Sequence, residues 1–489
     1  MATKEETSRL GLLGLIAIVF SSMVGGGIFN IAQNIASTAG IGAVVIAWLI
    51  TGFGMVFLVL TFKILSDHYP HLNQGLYQYA RKGFGNYVGF NIAWGYWLCV
   101  AFGNVAFVVM LNDAVGAFFP IFLQHKWESI VFCECIVWIM FGIVERGIMT
   151  ASFINTIMTF LKFAAIFIII VILIVYFRLE LLFSDVWGET IVEGERPLGG
   201  LWTQVMGTMF ITMFCFVGIE GGLMLSSYAK NNKDVGKASI IGFYLALIIY
   251  ALISLLCYGV RSRAELASLP DPSMAYVLRL CCGDWAYYFV ISTVILSILS
   301  AFISWTLLCC QAPYGAAKSK IFPSNFLKTN KHEVPVYGLL LTTIFMSGFI
   351  VLVCTAPDVY MAGLNLTTIM VLPAYGISGG FLFKANLRKR HFHTSEERKE
   401  IIKYRIIGIF CVLYCIWCVI SGGFLLFIAS SILYLLGFYF YYLTYKQKVD
   451  HTVEKTVLLN LKEKILFGII VSTSILSIVL ISVGKISLS

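Results

Sequence analysis

A single carboxyl group stands in a part of the chain where a charge is costly. Glu220 lies in the stretch FCFVGIEGG, residues 214–222, inside a long run of apolar residues. A carboxyl group in such a segment is rare and is a functional-site candidate by default. The structural alternative is a carboxyl group that only satisfies backbone groups left bare by the surrounding glycines.

A run of three glycines interrupts the first apolar segment. The stretch SSMVGGGIF, residues 21–29, contains Gly25, Gly26 and Gly27, and each glycine costs a helix roughly 0.5–1 kcal/mol relative to alanine. A break here frees backbone N–H and C=O groups, which are tolerated at membrane depth only where they line a cavity. Because a restarting helix presents partially positive N–H groups, those of the three glycines can bind a carboxylate.

The two breaks occupy matching positions, because they interrupt the first and the sixth predicted spans. Paired discontinuous helices are the best pointer in a sequence to the binding site of a transporter. An amino acid fits both kinds of freed group, since its ammonium group can bind the carbonyls near Met23, Phe214 and Val217. The alternative is that the glycines only let helices pack closely, which explains one triplet better than two matched breaks.

Three side chains in other spans offer contacts for a flat cation. Trp305 can stack on a guanidinium group, although tryptophan in a span is more often core or interfacial. Tyr96 and Asn104 lie roughly two helical turns apart and therefore share a face of the third span. Asn104 can bind a guanidinium group or another helix, and Tyr96 can contact or gate the substrate. Weaker candidates for lining the pocket are Ser22, Cys99, Ser304 and Asn365.

The sequence resembles the bacterial arginine/agmatine and arginine/ornithine antiporters of the amino acid–polyamine–organocation (APC) superfamily. The resemblance runs from about residue 10 to residue 430 and is carried by four stretches: SSMVGGGIFNIAQNIASTAG, GLYQYARKGFGNYVGFNIAWGYWLCVAFGN, FVGIEGG and SWTLLCCQAPYGAAKSKIFP.

This resemblance implies a five-plus-five inverted repeat with broken helices 1 and 6, and alternating access. It implies exchange of external L-arginine for an intracellular product such as agmatine or ornithine, with acid resistance as a cellular setting. Glu220, Tyr96 and Phe214 are then expected to sense protons or gate the site. Phe214 stands where the family usually has a tryptophan that stacks over the substrate. A proton-coupled importer of arginine or lysine on the same fold is the alternative.

The composition predicts an all-α polytopic membrane protein. Of the 489 residues, 59% are hydrophobic and 12% are charged, whereas soluble domains carry about 25% charged residues. We expect about 12–13 transmembrane helices in one transporter domain, 1–489, with a first repeat at about 10–177, a second at about 201–383 and extra helices at about 405–484. The thirteen predicted spans are 10–38, 42–65, 86–117, 128–145, 151–177, 201–228, 239–260, 285–317, 335–354, 360–383, 405–427, 428–445 and 465–484.

The basic residues predict the orientation of these spans. With the N-terminus in the cytoplasm, most of the 34 Lys and Arg residues lie inside, as the positive-inside rule requires. Lys63 and Lys162 are expected to snorkel from inner span ends. The resemblance implies a bacterial inner membrane. Because the first apolar segment is interrupted by glycine and has no small-residue cleavage site, we expect the first span to be retained rather than cleaved. The basic residues predicted outside are Lys126, Arg178, Arg196, Arg261, Arg263, Arg279 and Lys485.

No cofactor or metal site is expected from the sequence. Most of the 13 cysteines lie in spans, where cysteine behaves as a small hydrophobe. The predicted spans contain no nucleophile–base pair of the kind that an enzyme would need. The sequence contains no RNA- or DNA-binding motif, so we expect no nucleic-acid partner. The expected partners are the basic substrates, the lipid bilayer and, as a candidate assembly, a homodimer. All seven histidines fall in predicted loops: His68, His71, His125, His332, His391, His393 and His451.

Overall fold

The computed structural model describes residues 9–72, 75–124, 127–190, 197–355, 358–387, 395–451 and 457–483. Among these residues the regular structure is helical, and one isolated backbone bridge joins Leu10 to Ala229. Six residues named above lie outside the described ranges: His125, Lys126, Arg196, His391, His393 and Lys485.

The described residues of the first half of the chain form eight α-helices. They are α1 (Leu12–Met23), α2 (Ile31–Ala36), α3 (Ile41–His68), α4 (Leu76–Phe84), α5 (Asn86–Gly116), α6 (Trp127–Glu145), α7 (Ile148–Val175) and α8 (Leu179–Leu182).

The described residues of the second half form twelve α-helices. They are α9 (Leu201–Phe214), α10 (Gly221–Met224), α11 (Asn232–Val260), α12 (Arg263–Ala267), α13 (Ser273–Cys282), α14 (Asp284–Lys318), α15 (Val336–Thr355), α16 (Asp358–Leu387), α17 (Ser395–Ser421), α18 (Phe424–Ala429), α19 (Ser431–His451) and α20 (Leu461–Ser482).

The predicted pattern of spans is confirmed. Within the described ranges, 11 helical segments are long and apolar enough to cross a membrane. Two further spans are broken helices: the first consists of α1 with α2, and the sixth consists of α9 with α10. Together with the 11 continuous segments they make thirteen spans in the described residues. The protein is therefore a multi-pass membrane protein with discontinuous first and sixth helices.

The division between the eleventh and twelfth spans differs from the sequence prediction. We expected spans at 405–427 and 428–445, whereas α17 begins at Ser395 and ends at Ser421, and α18 begins at Phe424. Two acidic residues in the first turn, Glu396 and Glu397, stabilise the earlier start because they complement the helix dipole. Gly423 has φ +101°, a conformation that ends the helix and that L side chains rarely adopt.

Two long helices form the centre of the molecule. α5 and α14 pack against each other. In the most apolar 18-residue stretch of each helix, 83% of the residues are buried. α1 packs against α7, α11 and α14, and α16 packs against α5. The first part of the first broken helix thus packs against α7, α11 and α14, and the second broken helix packs mainly against α3, α11 and α17.

Candidate binding site between the broken helices

The two breaks touch each other directly. The Ser22 hydroxyl, at the end of α1, donates a 2.8 Å hydrogen bond to the Gly218 carbonyl in the second break. Gly218 has φ +109°, and a Cβ at this position would lie 2.8 Å from the backbone of Ser22. Glycine is therefore required here both by backbone conformation and by close approach. The unwound segments are held against each other in the middle of the helix bundle.

The first break leaves N–H groups free while its carbonyls are occupied. The N–H groups of Gly25, Gly26 and Gly27 make no hydrogen bond to the part of the chain that the structure describes. In contrast, the Met23 carbonyl accepts from Tyr250 Oη at 2.9 Å, and the Gly25 carbonyl accepts from Ser297 Oγ at 3.0 Å. An excess of unsatisfied donors favours an anionic group such as a carboxylate.

The predicted carbonyl contacts for an ammonium group are unequal. The Phe214 carbonyl accepts from the Val217 N–H at 3.1 Å, and Met23 is already bonded to Tyr250. A carbonyl oxygen has two lone pairs, so both retain one acceptor position. The Val217 carbonyl accepts no hydrogen bond from the described residues, which leaves it the most available acceptor of the three.

Lys162 contradicts the expectation that it snorkels to the membrane surface. Its side chain is fully buried, and Nζ donates to the Val24 carbonyl at 2.6 Å and to Ser21 Oγ at 3.3 Å. Lys162 lies near the middle of α7, about 20 Å from either end, which is too far for its stem to reach water. Its ammonium group instead satisfies backbone freed by the first break.

Aromatic side chains flank the first break. The Trp305 indole donates from Nε1 to the Ser22 carbonyl at 2.8 Å, and the Phe107 ring meets Trp305 edge-on at 5.1 Å. Phe214 Cε1 lies 3.6 Å from the position that a Cβ on Gly27 would occupy. Phe214 and Gly27 are only partly buried, so this ring covers the more exposed end of the site.

Asn104 carries a buried acceptor without a partner. Its Nδ2 donates weakly to Cys309 Sγ at 3.6 Å, while Oδ1 is buried and unpartnered within the described ranges. A buried amide oxygen left without a donor is costly. Because a guanidinium group presents five N–H donors, the Asn104 side chain is suited to accept from one.

Glu220 is held by three donors. The Tyr96 hydroxyl donates to Oε1 at 2.9 Å, the Gly218 N–H donates to Oε2 at 3.2 Å, and the Tyr375 hydroxyl donates to Oε2. This arrangement links the second break to α5 through Tyr96 and to α16 through Tyr375. A change in the protonation of Glu220 would alter all three hydrogen bonds at once.

Tyr375 was not among the candidates from the sequence. It follows Pro373 in an otherwise ordinary apolar span, and tyrosine is too frequent at membrane interfaces to stand out. Its position in the span could have indicated a role, because Tyr375 lies well inside α16, where a hydroxyl group needs a hydrogen-bond partner.

The weaker candidates contact the surroundings of the site. Cys99 Sγ donates to the Thr367 carbonyl at 3.1 Å, and Ser304 Oγ donates to Asn155 Oδ1 at 3.2 Å. Asn365 is half-buried. Direct substrate contact by these side chains stays a prediction. Where the structure describes the chain, no three His, Cys, Asp or Glu side chains come close enough together to hold a metal ion.

The fold and the paired breaks define a membrane transporter with discontinuous helices. A solved structure of a Na⁺-coupled sialic acid symporter, in a substrate-bound outward-open state, aligns with 86% of this chain and 90% of its own, with a TM-score of 0.51. At 11% sequence identity, this likeness concerns the fold alone.

Sequence comparison identifies the family. A family model described as amino acid permease matches residues 10–444, and the chain belongs to this family. It is 38% identical over 444 residues to an arginine/agmatine antiporter of Chlamydia pneumoniae, covering 90% of this chain and 91% of that protein. A second arginine/agmatine antiporter, from Chlamydia caviae, is 38% identical over 486 residues and covers 99% of both chains.

Proposed function

We propose that the protein is a secondary transporter that exchanges external L-arginine for intracellular agmatine by alternating access. The observation that carries the proposal is the set of free N–H groups at Gly25, Gly26 and Gly27 beside aromatic and amide side chains. The names of the related Chlamydia proteins support arginine and agmatine as the pair of substrates.

Each part of arginine has a complementary group in this proposal. The carboxylate binds the N–H groups of the three glycines, and the ammonium group binds the carbonyls of Met23 and Val217. The guanidinium group stacks on an aromatic ring and donates to Asn104 Oδ1. Trp305 and Phe214 supply the rings, Trp305 from α14 and Phe214 from the more exposed end.

Agmatine uses a subset of these contacts. It keeps the guanidinium group but lacks the carboxylate, so it does not need the glycine N–H groups. Ornithine keeps the carboxylate and lacks the planar guanidinium group, so it loses the stacking contact. Because Trp305 and Asn104 both favour a guanidinium group, agmatine fits the proposed site better than ornithine does.

Glu220 is the proposed link between protons and gating. Its three hydrogen bonds join the second break to α5 and α16. A tenfold shift between inward-facing and outward-facing populations needs only about 1.4 kcal/mol of differential stabilisation, which is within reach of the change in these bonds. Tyr96 acts with Glu220 in this gate, and Phe214 acts as the outer cover.

The remaining parts of the proposal concern topology and assembly. The chain forms one transporter domain with repeats at about 10–177 and 201–383 and extra helices at about 405–484. It lies in a bacterial inner membrane with its N-terminus in the cytoplasm, in accord with the distribution of basic residues. It performs transport and not enzymatic catalysis, and a homodimer stays a prediction.

The experiment that tests exchange is uptake of labelled arginine into liposomes. The liposomes are preloaded with agmatine, ornithine, lysine or buffer alone, each with and without an inward proton gradient. We expect uptake only into preloaded liposomes, fastest with agmatine, and without need of the gradient. Accumulation in buffer-loaded liposomes that depends on the proton gradient would replace exchange with proton-coupled import, which is the alternative function.

A further inference from the structure

Two adjoining cavities lie at one end of the helix bundle, between the segment 320–327 and α19. The first has a volume of about 350 Å³ and contains two lysines, Lys320 and Lys448, beside hydroxyl groups of Ser324 and Thr444. The second has a volume of about 340 Å³, and its wall is largely aromatic and aliphatic. Gln447 lines both cavities, so the two cavities adjoin. We call the pair the cleft, with a basic half and an apolar half.

The basic half carries positive charge. Lys320 and Lys448 line one cavity, and Lys448 interacts electrostatically with Arg81, Lys320 and Glu463. Both oxygens of the Glu463 carboxylate are engaged by backbone N–H groups, of Tyr87 at 2.9 Å and of Asn460 at 3.0 Å. Two lysines and two hydroxyl groups around one cavity favour binding of an anion such as a phosphate group.

The apolar half is shaped to hold a hydrocarbon chain. It is lined by Phe326, Tyr337, Phe440 and Leu443, with Lys446 also among its lining residues. On the neighbouring surface of α19, the side chains of Tyr439 and Tyr442 are exposed. Exposed tyrosines at the end of a span are typical of the boundary between lipid and water, so this cleft faces the membrane interface.

The cleft is built on a rigid frame. The Ser324 N–H donates to Gln447 Oε1 at 2.8 Å, which fixes the loop to α19. Phe326 packs edge-on against Trp97 of α5 at 5.8 Å. α5 also carries Tyr96, which binds Glu220, so the cleft is anchored on a helix of the substrate site.

We propose that this cleft binds one anionic phospholipid. Its phosphate lies between Lys320 and Lys448, and one acyl chain occupies the apolar half beside Phe440 and Leu443. Basic pockets between helices on the cytoplasmic side suit anionic headgroups. The assignment to the cytoplasmic leaflet rests on the orientation given under Proposed function, whereas the lipid chemistry does not.

Native mass spectrometry of the full-length protein in non-ionic detergent tests this proposal. The probes are dioleoyl phosphatidylglycerol, dioleoyl phosphatidylcholine with the same acyl chains, and glycerol 3-phosphate as the headgroup alone. The variant is Lys320→Gln with Lys448→Gln. Its matched control is Lys399→Gln with Lys403→Gln, which removes the same charge from exposed positions on α17. Binding of arginine is measured on every protein as a check of folding.

We expect the wild type to retain one phosphatidylglycerol in preference to phosphatidylcholine. The Lys320/Lys448 variant should bind phosphatidylglycerol about tenfold more weakly or worse, since each basic side chain near an anionic lipid contributes about fivefold. The control pair should match the wild type. Equal retention of the two lipids by the wild type, or undiminished phosphatidylglycerol binding by the variant, would overturn the proposal. Displacement of the lipid by glycerol 3-phosphate at comparable concentration would overturn it in favour of a soluble-anion site.

Discussion

The Ser22 hydroxyl lies 2.8 Å from the Gly218 carbonyl oxygen, so a hydrogen bond joins the first break to the second. Ser22 also presents its own carbonyl to the Trp305 indole at 2.8 Å. A movement of Ser22 would therefore strain or break its contacts with Gly218 and Trp305. This connection gives the proposed alternating access a physical route from the first break to Glu220, two residues beyond Gly218.

Phe214 is expected to hold the substrate in place. Phe214→Ala should weaken arginine binding by about 1–3 kcal/mol, because it removes a cation–π contact and buried apolar area. Phe214→Trp should keep the affinity. Calorimetric titration measures both, and Phe210→Ala is the control, since Phe210 lies one turn away and contacts Gly422 instead. An alanine variant with unchanged affinity would reduce Phe214 to a packing residue.

Loss of the Trp305 side chain is expected to weaken arginine binding at least as much as loss of the Phe214 side chain. Trp305→Ala should weaken arginine binding by about 1–3 kcal/mol or more, whereas Trp305→Phe keeps a ring and loses only the hydrogen bond to Ser22. Trp138, on the exposed surface of α6, provides a control for replacing a membrane tryptophan with alanine. Normal affinity in the Trp305→Ala variant would remove this residue from the site.

Glu220 is expected to set the pH dependence of exchange. Glu220→Gln cannot change its charge, so it should retain arginine binding and flatten the rate profile between about pH 4 and pH 8. Glu220→Ala should impair exchange more than Glu220→Gln does, because it leaves the Gly218 N–H and two tyrosine hydroxyls without their acceptor. Glu134→Gln is the control, since Glu134 is an acidic residue in α6 that binds Ser347 at 2.6 Å. Superimposable profiles for the wild type and Glu220→Gln would make Glu220 structural.

Asp185 is expected to make the stability of the protein depend on pH. Burial opposes ionisation of this carboxyl group, but hydrogen bonds from Arg263 and from the N–H groups of Glu189 and Thr190 lower the pKa of Asp185 below its usual range. A lowered pKa in the folded state stabilises the protein above the unfolded value of about 3.9, and this stability is lost as the pH falls below it.

Asp185→Asn should therefore lower the melting temperature at neutral pH and weaken its decline on acidification. Arg263 donates to Asp185 at 2.7 Å, and both side chains are buried, with 2% and 8% of their surfaces exposed. Asp284→Asn breaks a surface pair with Arg279, whose side chains are 51% and 70% exposed, and should have little effect. Equal melting temperatures for the two variants in detergent would contradict this role for Asp185.

Local sequence rules were sufficient to find the two breaks and their lone carboxyl group. Glycine clusters weaken helices wherever they occur, and a carboxyl group such as Glu220 is conspicuous among apolar residues. The spans followed from hydropathy in the same way. These features depend on residues adjacent in the chain, which is why they did not require the tertiary structure.

The partners of the breaks depend on packing between distant spans. Tyr250, Ser297 and Tyr375 bond to the breaks from three different helices, and their residue types are common in membrane proteins. From the sequence, Lys162 is expected to snorkel from a span end, although its distance from both ends of the predicted span at 151–177 argues against snorkelling. Only the bundle shows that α7 directs this ammonium group to the Val24 carbonyl.

Paired fluxes in one preparation test the central claim most directly. Liposomes loaded with agmatine carrying one isotope are placed in arginine carrying another, and influx and efflux are counted together. Exchange predicts that each arginine that enters is matched by one agmatine that leaves, and that neither flux occurs when the other substrate is absent. Arginine that enters at full rate while agmatine stays inside would contradict exchange through a single site at the two breaks.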